Sequence, residues 1–222
     1  MTVRRVTPRF VLHAGYACNA RCSFCYYLPE IESGQARDFT TAQLFRRIDR
    51  AARWGKTAVD ISGGEPTIRP DLPALIARCR ERGIEDVTII TNGMRTSRPA
   101  YVAELAEAGL TDGLFSIHGA TAAIHDGLTR RNGSFASLLA SLPLFRERGL
   151  GVRVNHVLTG ANLGTLEDFL GVVEPYGPDV VNLLVLNPAE QTEAEPFDYR
   201  RAGAVISAAL DCGAKRTIAC TP

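Results

Sequence analysis

Cys18-Asn-Ala-Arg-Cys22-Ser-Phe-Cys25 places three cysteines in a C-x3-C-x2-C arrangement, just after the apolar run at 10–12. Thiolates bind zinc and iron–sulfur clusters, and here their number is informative. A [4Fe–4S] cluster ordinarily takes four cysteines, so three would leave one iron open to a reacting molecule. A structural zinc site wants four ligands, often as two paired half-sites. His13 could complete a zinc tetrahedron, but no second CxxC or HxxxH pair exists, and Cys79, Cys212 and Cys220 lie far off. A disulfide scaffold fits less well, because six cysteines are few for 222 residues. The start of the chain has two arginines but no long apolar stretch behind them, so it does not read as a secretory signal. The expected compartment is the cytoplasm.

A second polar group, Gly63-Gly64-Glu65-Pro66, closes another apolar run. Others sit at the ends of similar runs: Thr91-Asn92-Gly93, then Ser116 and His118, then Asn155 and His156, then Asn187-Pro188. Asn-Gly and Gly-Gly are common turn punctuation, so any one of these alone has a local explanation. Their recurrence after every apolar run asks for a scaffold that brings those ends together.

The runs at 9–14, 57–62, 86–91, 113–118, 152–158 and 179–186 are short and rich in Val, Ile or Leu, as strands buried on both faces should be. Helical patterns lie between them. Thr40 and Gln43 can form a capping box ahead of Leu44, Ile48 and Ala51, with Gly55 as the stop. Asp71 opens the next helix, which buries Leu72, Leu75, Ile76 and Cys79 and ends at Gly83. Further helices are expected over 97–108, 134–148 (with Pro143 kinking it), 162–173 and 198–211. Strands alternating with helices predict βαβ units and a parallel sheet with right-handed crossovers. A closed eight-stranded barrel typically uses about 250 residues, so six units predict a partial (β/α)6 barrel of TIM-like type. A flat doubly wound sheet is the alternative. In both, the C-terminal strand ends form the site, which is where the polar groups fall.

Composition is that of an ordinary globular chain: 45% hydrophobic and 22% charged. The net charge of +1 argues against a nucleic-acid surface, and no apolar segment approaches the roughly 18 residues of a membrane span. The arginine pairs fall in helical stretches and read as solvated faces. No linker divides the chain, so residues 1–222 are expected to form one domain. The apolar ending, which includes Cys220, would suit the start of a missing extension.

With Phe24 as its aromatic residue, the cysteine motif reads CxxxCxΦC, and together with Gly63–Pro66 it resembles the radical S-adenosylmethionine (radical SAM) superfamily. The later strand ends fall in that family's order, so the resemblance covers nearly the whole chain. It implies that Cys18, Cys22 and Cys25 hold a [4Fe–4S] cluster whose open iron binds SAM. Reduction by an external donor such as flavodoxin or ferredoxin would cleave SAM to a 5′-deoxyadenosyl radical, which takes hydrogen from a substrate. Gly63, Gly64, Glu65 and Pro66 would meet the methionine end and Phe24 the adenine. Ser116 and Asn155 would reach the ribose or carboxylate, and Asn187 the adenine edge.

Simpler roles stand beside these: Glu65 as a helix cap, and Ser116 and Asn155 as core hydrogen-bond partners. No residue declares itself as the acid or base; His118 and Tyr26 are the candidates. Tyr26 and Tyr27 would cover the cluster or line a substrate pocket. Arg130 and Arg131 could grip an anion or simply lie in a solvated turn. The implied activity is hydrogen abstraction from a small metabolite or a peptide, in natural-product tailoring or peptide maturation. An activase that installs a glycyl radical on a partner enzyme is the alternative enzyme. A non-catalytic Fe–S or zinc sensor or scaffold is the alternative of another class.

Overall fold

Period-two burial governs the sheet. Along β5 (Gly151–Leu158), Val152, Val154, His156 and Leu158 are buried, while Arg153, Asn155 and Val157 face the concave side. The computed structural model describes residues 9–186, 193–194, 198–215 and 220–221. The other strands are β1 (Arg9–His13), β2 (Ala58–Ser62), β3 (Asp86–Thr91), β4 (Asp112–Ser116), β6 (Val180–Val185) and β7 (Cys220–Thr221). Every neighbouring pair is parallel and the spatial order is the chain order, β1 to β7. The helices are α1 (Leu28–Glu32), α2 (Thr41–Arg53), α3 (Leu72–Glu81), α4 (Pro99–Glu107), α5 (Ala122–Thr129), α6 (Ser134–Glu147), α7 (Leu166–Val173) and α8 (Tyr199–Lys215). They cover the outer face, and the sheet curls into an open half-barrel. Among the described residues no helix is long and apolar enough to cross a membrane.

The core lies between the outer sheet face and the helices. Leu12, Val59, Ile61, Ile89, Phe115 and Val154 meet Leu44, Ile48, Leu75, Ile76, Leu142 and Phe145 there. The capping box at Thr40 and Gln43 forms as expected, and Leu44, Ile48 and Ala51 are the buried face of α2. Cys79 is fully buried on α3. α6 runs unbroken through Pro143. The concave side is closed at its N-terminal end by charge: Arg9 pairs with Asp60, and Arg153 bonds Asp112 at 2.7 Å and Thr88 at 2.8 Å.

Four expectations need correction. The strand expected over 113–118 ends at Ser116, because side chains take the backbone groups of residues 117 and 118. The short helices α1 and α5, each with few periodic apolar positions, add to the six expected helices. The helix expected from 162 starts only at Leu166, after a 3-10 turn at Leu163–Thr165. The two-residue β7 adds a strand to the expected six.

Candidate active site

The cysteine loop leaves β1 and is fastened on both flanks. Asp38 Oδ1 accepts from Tyr16 N at 2.6 Å and from Ala17 N at 3.1 Å. Gly64 N donates to Gly15 O and Glu65 N to Ala17 O, each at 2.8 Å, so the Gly-Gly-Glu segment zips onto residues 15–17. On the other flank Arg21 N reaches Thr129 O at 3.1 Å and Ser23 N reaches Leu128 O at 2.9 Å, both at the end of α5. The glycine pair makes the first contact possible. A Cβ on Gly64 would stand 2.5 Å from Tyr16 O and closer still to Ala17 O; Gly63, at φ +136°, abuts Gly15 O.

Cys18, Cys22 and Cys25 line one cavity of about 410 Å³ at the C-terminal strand ends, a volume within the usual roughly 300–1,000 Å³ of small-molecule sites. All three thiols are free. Burial pushes Cys18 up to about 11 and Cys22 up to about 12, and it raises Cys25 as well. Such thiols become thiolates only when positive charge arrives, which is what metal ligation supplies. Among the described residues no three His, Cys, Asp or Glu side chains close on one point as ligands of a single ion. Three thiols are also one short of the four ligands that a structural zinc site takes. The donor chemistry and the shared cavity both fit a [4Fe–4S] group.

Glu65 is 2% exposed and caps the one-turn helix Pro66–Ile68. Its Oε1 accepts from Thr67 N (3.0 Å), Thr67 Oγ1 (2.6 Å) and Thr91 Oγ1 (2.8 Å), and its Oε2 from Asn92 N (2.7 Å). Burial raises its carboxyl pKa, against the pull of those donors. The helix-cap role is thus realised, and the same side chain ties the end of β2 to that of β3 while bordering the cavity. Pro66 is buried in the turn and does not line the cavity.

Ser116, Asn155 and Asn182 stand at one level across β4, β5 and β6. Ser116 and Asn155 line the cavity, and Asn182 Nδ2 donates to Asn155 Oδ1 at 2.8 Å. His156 points the other way, as strand alternation requires, and packs on Phe169 at 3.9 Å. Phe24 lines the cavity with its ring edge-on to His118 at 4.5 Å. His118 lies beyond β4 rather than on it, yet its ring still reaches the cavity. Tyr26 and Tyr27 line the mouth in mutual contact at 4.1 Å, and Tyr26 is 54% exposed. Arg130 pairs with Glu193. Asn187 lies outside the described residues. Sequence reasoning missed Asn182, whose place depends on the β5–β6 register, and His125 and Asn162, which act through backbone bonds.

A half-barrel carrying three free thiols on a cavity at its C-terminal rim defines a cluster-binding β/α-barrel protein. Residues 13–174 match the Radical SAM superfamily, and the chain belongs to it. A mycofactocin maturase, MftC, from Mycobacterium ulcerans is 34% identical over 166 residues, covering 73% of this chain and 43% of that protein. An AdoMet-dependent heme synthase from Methanosarcina barkeri is 30% identical, covering 87% and 56%. A PqqA peptide cyclase from Rhodopseudomonas palustris is 31% identical, covering 85% and 46%. The structure of Streptococcus suis SuiB bound to S-adenosylmethionine superposes with a TM-score of 0.80 at 20% identity, over 96% of this chain and 50% of that one. The chain therefore spans about half the length of the relatives it matches.

Proposed function

We propose that residues 1–222 form one catalytic core domain that cleaves SAM reductively and abstracts hydrogen from a peptide substrate. The observation that carries this reading is the cavity itself, where Cys18, Cys22 and Cys25 face the Gly63–Glu65 edge and the Ser116–Asn155 wall. Cys18, Cys22 and Cys25 would hold the [4Fe–4S] cluster. Gly63, Gly64 and Glu65, steadied by the turn at Pro66, would border the methionine end of SAM. Ser116 and Asn155 would hydrogen-bond its ribose or carboxylate, and Phe24 would flank its adenine. When bound, cluster and SAM supply the 5′-deoxyadenosyl radical that takes a hydrogen atom from the substrate.

The chain's own contribution is to bind, orient and keep water away. Glu65 is saturated by donors, so it fixes the β2 and β3 ends rather than moving a proton. Tyr26, Leu184 and Val185 are exposed at 54%, 42% and 44% and surround an apolar mouth suited to a peptide segment. The relatives named as a maturase and a peptide cyclase support that choice. Electrons would come from an external donor of the flavodoxin or ferredoxin kind. The cytoplasm, which keeps thiols reduced, suits three free cysteines.

The test is anaerobic reconstitution with iron and sulfide, then dithionite and SAM, with 5′-deoxyadenosine as the readout. The parent should form it and Cys22→Ala should not, while the variant keeps its secondary structure. Cleavage at the parent rate in Cys22→Ala would overturn the cluster assignment. A stable cluster without cleavage under several reductants would favour a sensor.

A further inference from the structure

Side chains finish the ladder between β4 and β5 where the backbone no longer can. Ile117 N makes the last backbone bond, to Asn155 O at 3.0 Å. Beyond it Val157 N donates to His118 Nδ1 at 3.1 Å, and His118 N donates to His125 Nδ1 at 3.1 Å. His156 Nδ1 donates to Ile117 O at 2.8 Å. Asn162 Nδ2 closes the set, reaching His118 O at 2.9 Å and Val157 O at 2.8 Å.

These bonds fix each tautomer. A ring nitrogen that accepts an N–H carries no proton, so the neutral His118 and His125 rings are protonated at Nε2, whereas His156 is protonated at Nδ1. The Nε2 atoms of His125 and His156 are sealed in the core with no partner among the described residues. His118 differs. It is only 3% exposed, but its ring lines the cavity beside Phe24, and no described residue accepts from its Nε2–H. A donor on the cavity wall that meets no protein acceptor is open to one on a ligand.

We propose that His118 Nε2–H is a fixed, neutral hydrogen-bond donor to a ring nitrogen of the SAM adenine. Adenine is the uncharged, flat part of that ligand and presents ring-nitrogen acceptors. Phe24 and Val157 supply the apolar faces beside the donor. The Gly63–Glu65 edge and the Ser116–Asn155 wall would take the carboxylate and ribose, which leaves the adenine for the end of the cavity where Phe24 and Val157 flank this donor. Giving up this proton would leave an imidazolate in a buried site, so His118 orients rather than catalyses. The inference rests on the reading that this cavity takes SAM.

Two substitutions separate the two ring nitrogens. In His118→Asn the amide oxygen can replace Nδ1 and keep Val157 N–H satisfied, while the Nε2–H donor is lost. In His118→Gln the amide nitrogen can replace Nε2, while the ladder acceptor is lost. SAM binding to anaerobically reconstituted protein, measured by equilibrium dialysis of labelled SAM, should weaken about tenfold in His118→Asn with iron content unchanged, a loss of roughly 1.4 kcal/mol. His118→Gln should melt about 2–8 °C lower yet bind SAM within about threefold of the parent. Parent-like binding by a folded His118→Asn, or a tenfold loss in a folded His118→Gln, would overturn the proposal. Failure of the parent itself to bind SAM would instead overturn the reading on which it rests.

Discussion

Gly64→Ala tests how the cysteine loop is held. The added Cβ would lie 2.5 Å from Tyr16 O and 2.7 Å from the Ala17 carbonyl carbon, well inside any contact a real Cβ makes. Both neighbours are backbone, so no side chain can swing aside. Residues 15–17 must retreat, which strains the two bonds from Gly64 N and Glu65 N to Gly15 O and Ala17 O. Overpacking of this kind costs about 1–3 kcal/mol, and each weakened hydrogen bond about 0.5–1.5 kcal/mol. A net loss of about 2–4 kcal/mol should lower the melting temperature by about 4–16 °C in a chain of this size. Because Cys18 follows Ala17 directly, iron uptake on reconstitution should fall as well. The assays are thermal unfolding of the apoprotein and iron content after reconstitution. Unchanged melting and full iron, with only SAM affinity reduced, would refute this reasoning and show that the glycine serves ligand approach alone.

Glu65→Gln turns an amide donor toward one of four donors, most simply Asn92 N, so it should cost about 1–3 kcal/mol and appear as a lowered urea midpoint; an unchanged midpoint would contradict the account of Glu65 as an all-acceptor tie. Asp38→Ala removes the acceptor of Tyr16 N and Ala17 N and should reduce iron uptake more than it reduces melting temperature, because the two bonds order an exposed loop. Burial holds His125 and His156 down to about 4, below their ordinary 6.5. The unfolded chain then binds more protons, so their contribution is complete above the unfolded value and is lost as pH falls through the folded one. Urea unfolding at about pH 7.5 and about pH 5 should differ by roughly 2 kcal/mol for each of these rings. His125→Asn, whose amide oxygen can still accept from His118 N, should show a shallower dependence; an unchanged slope would remove His125 from the explanation.

Much of this site could be read in advance because its signals are local. The cysteine spacing, the Thr40–Gln43 box and the alternation that separates Asn155 from His156 each need only a few neighbouring residues. What stayed hidden depends on contacts across the sheet. The resemblance implies that the glycine pair meets the methionine end of SAM; in the fold it first makes room for residues 15–17, a pairing that no local pattern encodes. Asn182 matters through its register with Asn155. β4 stops early because histidine and asparagine side chains compete for its last backbone groups, and hydrophobic periodicity carries no record of that competition.

Cys18, Cys22 and Cys25 are proposed to hold a cluster with one iron open to SAM. Electron paramagnetic resonance of the reconstituted, dithionite-reduced protein, with and without SAM, tests it most directly. About four irons and about four sulfides per chain are expected, with a reduced-cluster signal that shifts when SAM is added. A chain that binds zinc but no iron, or a cluster signal indifferent to SAM, would contradict it.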